Sequence, residues 1–353
     1  MVMDIIAGSY DLLLEYLTNP WIRGYLGLSL IGFIFVSAMA AVWLERKISA
    51  DVQFRIGPCR VGPIGIFQLI ADAIKLFTKE DIVPRKADSI MFRSAPIFLM
   101  VSVFLMLVAI PIGAIVINGV AYPLVVTDMD ISILYVEAVS SISIIGVFMV
   151  AYSSNNKYAL LGAFRNFARM VGYEIPFGIS IIAVAITTGS LNIIEIVENQ
   201  TIWNVILQPI GFFVFFVALM GDLGRLPFDQ TEAEQEVVAG WITEYSGMRF
   251  GLGFFAEYIH MVLGSFLVVL LFLGGWNLPG LGLLTSIPVI GFIMPTLVFL
   301  GKSAIVLAFI ILLRWAVPRF RIDQVVDLGW KRIIPLSIVN LIWAIALGLF
   351  LGA

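Results

Sequence analysis

Residues Phe250–Phe272 read FGLGFFAEYIHMVLGSFLVVLLF. At 1.5 Å per residue, such a run is long enough to cross the roughly 30 Å hydrocarbon core of a bilayer as one helix. It is apolar on every face except at Glu257 and His260, the pattern of a helix with no water beside it. Seven further segments share this character: Gly24–Leu44, Ala95–Ile117, Ile131–Tyr152, Val171–Thr188, Val205–Met220, Val289–Leu313 and Ile333–Leu351. In chain order the fourth contains Glu174 and Pro176, and the fifth is short. The expected fold is an all-α integral membrane protein of about eight transmembrane helices.

Composition excludes water as the main solvent. The chain is 61% hydrophobic and 13% charged, with a mean hydropathy of +1.03, far from the balance of soluble domains. Apolar runs recur along all 353 residues without a long polar block, so residues 1–353 read as a single polytopic membrane domain rather than two soluble ones. A net charge of −3 gives no footing for nucleic acid. With Cys59 and His260 as the sole cysteine and histidine, the chain holds no iron–sulfur cluster, bis-histidine haem or metal site of its own. Any redox centre is expected in a partner. The first residues carry Asp4, Asp11 and Glu15 instead of a cleavable signal, so the first span is expected to be retained. Neither a Walker A sequence nor a strand-associated GxGxxG is present, which leaves no nucleotide site.

Basic residues test the topology, because Lys and Arg gather in cytoplasmic loops. All but two of the 21 fall between spans one and two, three and four, five and six, or seven and eight. The exceptions are Arg23, at the start of span one, and Lys302, inside span seven. Eight spans in a cell membrane with both termini extracytoplasmic satisfy this asymmetry.

The first basic connection holds a segment helical in period yet too short to span. In Ile64–Phe77, Ile66, Phe67, Ile70, Ile74 and Phe77 form an apolar stripe, and Gln68, Asp72, Lys75 and Lys79 a polar one. The spacing predicts an amphipathic interfacial helix, introduced by a turn at Gly57, Pro58, Gly62 and Pro63. It serves either as cover beneath the spans or as a wall of a chamber for a lipid-soluble ligand.

Acids at membrane depth cost about 2.5–3.5 kcal/mol each, so something must offset Glu137 in span three, Glu174 in span four, Asp222 just after span five and Glu257 in span six. Such groups either exchange protons when a neighbouring charge changes or hold helices together as paired carboxyls. The densest cluster is the loop Gly221–Tyr245, with Asp222, Asp229, Glu232, Glu234, Glu236 and Glu244 beside Arg225. A helix after Pro227 would put Asp229, Glu232 and Glu236 on one face. Acidic loops are usually solvated faces, but Val237, Val238, Trp241 and Ile242 point to packing under the membrane. His260 can interact with Glu257 three residues away or act as a satisfied structural group. Lys302 can reach a neighbouring carboxyl or belong to an ion path.

The loops also resemble a known family as whole phrases. Trp43-Leu-Glu-Arg-Lys47, Gln53-Phe-Arg-Ile-Gly-Pro58, Val61-Gly-Pro63 and Ala71-Asp-Ala-Ile-Lys-Leu-Phe-Thr-Lys-Glu80 are similar to the NuoH family, subunit 1 of respiratory complex I. So are Gly172-Tyr-Glu-Ile-Pro176, Arg225-Leu-Pro-Phe-Asp229, Glu232-Ala-Glu234, Thr243-Glu-Tyr245, Ala256-Glu-Tyr258, Pro318-Arg-Phe-Arg-Ile-Asp-Gln324 and Leu328-Gly-Trp-Lys331. Their order and spacing cover nearly the whole chain.

The resemblance implies a proton-translocating oxidoreductase subunit that joins other membrane-arm subunits to the iron–sulfur subunits of a peripheral arm. It implies an acceptor chamber at Arg46, Gln53, Phe54, Asp72, Lys75, Arg225 and Phe228, and a proton path through Glu137, Glu174, Asp222, Glu232, Glu234, Glu236, Glu244 and Glu257. The acceptor is a quinone or, as in related archaeal enzymes that oxidise reduced deazaflavin, methanophenazine. One departure lies at Gly221-Asp-Leu-Gly-Arg225, where the family usually reads Ala-Glu-Thr-Asn-Arg; this leaves the acceptor's identity open. The rival readings are a subunit of a membrane-bound hydrogenase, a stand-alone ion transporter using Glu137, Glu257 and Lys302, and a passive anchor for soluble partners.

Overall fold

The computed structural model describes residues 20–117, 120–200, 202–230, 238–278 and 288–351. Helices dominate: α1 (Pro20–Val52), α2 (Gln68–Thr78), α3 (Ser89–Ala109), α4 (Ser132–Ser153), α5 (Lys157–Thr188), α6 (Ile193–Glu198), α7 (Asn204–Leu207), α8 (Pro209–Leu223), α9 (Gly247–Phe272), α10 (Pro288–Ala316), α11 (Ile322–Leu328) and α12 (Ile334–Leu351). A π-helical turn, Gly329–Ile333, joins the last two. Among the described residues seven helical stretches are long and apolar enough to cross a membrane. The chain is thus an all-α, multi-pass membrane protein.

The fifth expected span is α8, only 15 residues long, or about 22 Å of helix. It nevertheless traverses the bundle. Before its start, Asn204 donates to Leu271 O at the end of α9, and Gln208 donates to Thr187 Oγ1 at the end of α5. At its other end Gly221 lies on the Tyr173 ring, and Gly224 meets Arg169 in the first half of α5.

Span two sits earlier than expected, at Ser89–Ala109 rather than Ala95–Ile117. Asp88 starts it by accepting from the backbone N–H groups of Ile90 and Met91. It stops at Ile110, which is extended (φ −91°, ψ 116°) because the ring of Pro111 disfavours helix at the preceding residue. The β-branched run beyond forms strand β1 (Ala114–Ile117), antiparallel to β2 (Val120–Pro123). Thr296 of α10 donates to Ala114 O and docks this hairpin. Apolar composition alone does not distinguish such a strand from the end of a span.

Two helices run further into the basic side than expected. α1 continues past Leu44 to Val52, carrying Glu45 and Arg46 with it. α5 begins at Lys157, where Asn156 caps the Tyr158 N–H, so Arg165 and Arg169 are helical. The interfacial helix is α2, starting four residues later than expected, after the turn at Gly62 and Gly65 (φ 73° and 78°). A side chain on Gly65 would lie 2.2 Å from Pro58 O. Nothing in α2 is buried within the chain.

At the centre stands α9, most of whose residues are buried, whereas most of the spanning part of α1 is not. Small residues let neighbours close on it: Gly264 faces Leu219 of α8, and Gly253 faces the Trp241 ring. α11 is held on α5 by the Tyr173 phenol, which donates to Val325 O at 3.0 Å, while Gly329 closes on the Gly172 carbonyl.

Candidate functional site

Four helices bring the membrane acids to one region of the bundle. Glu137 projects from α4 toward α5, where Gly178 makes room: a Cβ there would stand 3.3 Å from Glu137 Oε1. One turn along α4, the Ser141 hydroxyl donates to Glu174 Oε1 of α5, and the Ser140 hydroxyl donates to the Glu137 carbonyl. Asp222, in the last turn of α8, faces α9, and its Oδ2 lies 3.2 Å from His260 Nε2. The sequence offered His260 either Glu257 along its own helix or a structural role; in the structure it lies against Asp222 of a different helix.

Asp222, Glu257 and His260 line a common cavity of about 60 Å³, together with Asn166, Arg169 and Ser143. It is large enough for about two water molecules. Arg169, only 3% exposed, fixes the rim. It donates to Phe228 O at 3.1 Å and to Asn166 Oδ1. Gly224 in left-handed backbone (φ 64°) leaves space for it, since a Cβ there would fall 2.2 Å from Arg169 Nη1. The departure from the family phrase at residue 224 therefore matches where Arg169 is placed.

Beyond Glu257 the site continues as an ion network. Arg225, buried to 5%, lies 3.9 Å from Glu257 Oε2 and 4.5 Å from the centre of the Tyr258 ring. The Tyr258 phenol donates to Glu45 Oε2 at 2.8 Å, and the Arg314 guanidinium pairs with the same carboxylate. Sequence reasoning missed Glu45, Tyr258 and Arg314 as site residues. Glu45 could have been found as an acid one residue past the expected end of span one.

The expected chamber residues fall into separate places. Arg46 pairs with Asp72 at 2.6 Å, and Lys75 and Gln68 approach the same carboxylate at 3.9 and 3.4 Å. Arg46 follows Glu45 on α1, so this group adjoins the ion network. Gln53 accepts from Arg55 at 2.6 Å, and Phe54 is fully exposed. Phe228 packs instead in a buried aromatic cluster, 5.0 Å from Tyr173 and 5.9 Å from Phe320.

The acidic loop is only partly described. Residues up to Gln230 follow no helix after Pro227, so Asp229 does not open a helical face there; its carbonyl accepts from Arg319. Glu232, Glu234 and Glu236 lie outside the described residues. Glu244 accepts from Asn156 Nδ2 at 2.6 Å. Next to it, Tyr245 donates to Phe92 O at 3.1 Å and lies 3.2 Å from the Ser153 hydroxyl. Burial pushes its phenol up to about 12, against the opposing pull of Ser153.

Among the described residues Lys302 meets carbonyls rather than a carboxyl. Its ammonium donates to Leu273 O, Gly275 O and Asn277 O at 2.7, 3.0 and 2.6 Å, over the Trp203 ring. Those bonds use all three of its donors on carbonyls at and beyond the end of α9.

Comparison with known proteins agrees with the ordered loop phrases. The profile of the family described as NADH dehydrogenase matches residues 26–345. The chain is 70% identical over 335 residues to a subunit of F(420)H(2) dehydrogenase from Methanosarcina acetivorans, covering 95% of this chain and 96% of that one. It is 65% identical to the counterpart of the same name from Methanosarcina mazei, covering 95% of each. A subunit of NADH-quinone oxidoreductase from Dehalococcoides mccartyi is 46% identical, over 89% of this chain and 83% of its own. These relatives are subunits of oxidoreductase complexes, and with them this multi-pass chain belongs to the NADH dehydrogenase family.

Proposed function

We propose that this chain is the membrane subunit of a complex I-like oxidoreductase that receives a lipid-soluble electron acceptor and couples its reduction to proton translocation. The observation that supports this most is a succession of ionisable side chains. It starts at Asp72 and Arg46 beside the interfacial helix and passes through Glu45, Tyr258, Arg225 and Glu257. It ends at His260 and Asp222, which share a cavity with Ser143 of α4 and Asn166 of α5, the helices that carry Glu137 and Glu174. A charge change at the acceptor end alters the proton affinity of the next member by Coulomb interaction, and the change passes inward from group to group.

Reduced deazaflavin is the proposed donor and methanophenazine the proposed acceptor, on the 65–70% identity to proteins named as subunits of F(420)H(2) dehydrogenase; a quinone is the second reading, on the 46% relative. Iron–sulfur subunits of a peripheral arm and other membrane subunits are the proposed partners. Both termini lie extracytoplasmically in this reading, because eight crossings keep the basic loops on one side. A stand-alone transporter loses support with Lys302 engaged by carbonyls.

The test is to purify the intact complex from native membranes and assay oxidation of reduced F420 and of NADH against methanophenazine and quinone. Turnover with one such pair and proton uptake into vesicles is expected. Glu137→Gln and Asp72→Asn should assemble yet lose coupled turnover. Full proton pumping in Glu137→Gln, or a complex that evolves hydrogen without a membrane acceptor, would overturn the reading.

A further inference from the structure

We propose that His260 and Asp222 form a proton-carrying pair, with the imidazole rather than a carboxylate as the link between Glu257 and the acids of α4 and α5. This rests on the proton-coupling reading above. Three observations carry it. The pair joins two helices, α9 and α8, at 3.2 Å, and its side chains are only 11% and 10% exposed. His260 lies one helical turn after Glu257, and all three groups wall the same cavity of about 60 Å³. Glu257 is turned toward Arg225 at 3.9 Å, and Asp222 shares the cavity with Ser143 of α4 and Asn166 of α5, so the imidazole stands between the two halves of the network.

Imidazole suits this position because it has two nitrogens, one able to take a proton while the other gives one. In the forward step a proton leaves the Glu257 carboxyl group through the cavity and bonds to His260 Nδ1. The Nε2–H bond then breaks and that proton passes to Asp222 Oδ2. Exchange between the ring nitrogens through cavity water restores the first tautomer. One proton enters, one leaves, and no electron moves. A merely structural histidine would also accept this geometry, and the experiment separates the two.

The intact complex is reconstituted in vesicles with His260→Gln, whose amide keeps a hydrogen bond to Asp222 but takes no proton. Co-purification of the peripheral subunits reports assembly, and electron transfer from the donor to a soluble dye is expected to persist. Proton translocation coupled to the membrane acceptor is expected to fall about 100-fold, the scale of a lost acid–base group. Added imidazole should restore part of it in His260→Gly. Wild-type pumping in His260→Gln overturns the proposal, as does loss of pumping in His260→Gly that imidazole does not relieve. If His260→Gln fails to assemble, Asp222→Asn is read by the same assays, and pumping at the wild-type rate there also overturns it. Glu137→Gln separates the two levels. Pumping lost there but intact in His260→Gln removes only the histidine, while pumping intact in Glu137→Gln removes the coupling reading itself.

Discussion

The Tyr258 phenol on α9 donates a 2.8 Å hydrogen bond to Glu45 on α1, and Arg314 of α10 closes on the same carboxylate. Three helices thus share one anion. Glu45 is 8% and Arg314 24% exposed at the side chain, so water does little to replace either partner. Glu45→Leu should destabilise the protein by about 3–5 kcal/mol, because it leaves a cation behind in a buried place. Tyr258→Phe, which removes one hydrogen bond to a charge, should cost roughly 1.5–3 kcal/mol. Thermal denaturation of the purified complex would rank them, and the reverse order would count against this network as a tie between helices.

Gly224 and Gly301 make a matched pair of alanine tests. At Gly224 the backbone is left-handed and Arg169 already fills the space a Cβ needs. Gly224→Ala should therefore cost about 1–3 kcal/mol, from backbone strain and a displaced guanidinium. Nothing lies within 4 Å of a Cβ at Gly301 in α10, so Gly301→Ala should be neutral or stabilising by up to about 1 kcal/mol. Equal melting temperatures for the two variants would contradict this account.

Removing the Lys302 ammonium strips donors from three carbonyls. Lys302→Met should lower thermal stability by roughly 2–3 kcal/mol while the assembled fraction keeps its ratio of protons to electrons. A normal melting temperature with altered pumping would return Lys302 to an ion path.

Tyr245 predicts an alkaline limit. Its phenol ionises at about 12 in the folded chain against an ordinary value of 10.0, so the folded form retains its proton longer than the unfolded one. The stabilisation is complete below pH 10 and is lost as pH rises through about 12. Tyr245→Phe should show a smaller fall in melting temperature between pH 9 and pH 11 than the wild type, to about the extent one phenol contributes. Parallel curves would mean that burial does not hold this phenol above its ordinary value.

What the sequence disclosed depended on the distance over which each signal acts. Spans such as Phe250–Phe272 are legible because hydropathy is a property of consecutive residues. The acids at 137, 174, 222 and 257 stand out because charge in an apolar run is costly. The end of span two was misread because Ile115, Val116 and Ile117 are as apolar as a helix; the stop lies in the backbone preference set by Pro111. Asp222 as the partner of His260, and Arg314 as the partner of Glu45, were hidden because only helix packing brings them together. The carbonyls around Lys302 carry no sequence signal at all, since every residue has one.

Helix α2 has its own consequence for how the protein comes into being. Ile70, Ile74 and Phe77 are 47%, 58% and 68% exposed, and no residue of the helix is buried by the rest of the chain. While the chain is being made, this stripe has no shelter until it reaches the surface of a bilayer. Synthesis that outruns insertion leaves a sticky amphipathic segment in water. Delivery to the membrane during translation would shelter α2 together with the spans on either side of it.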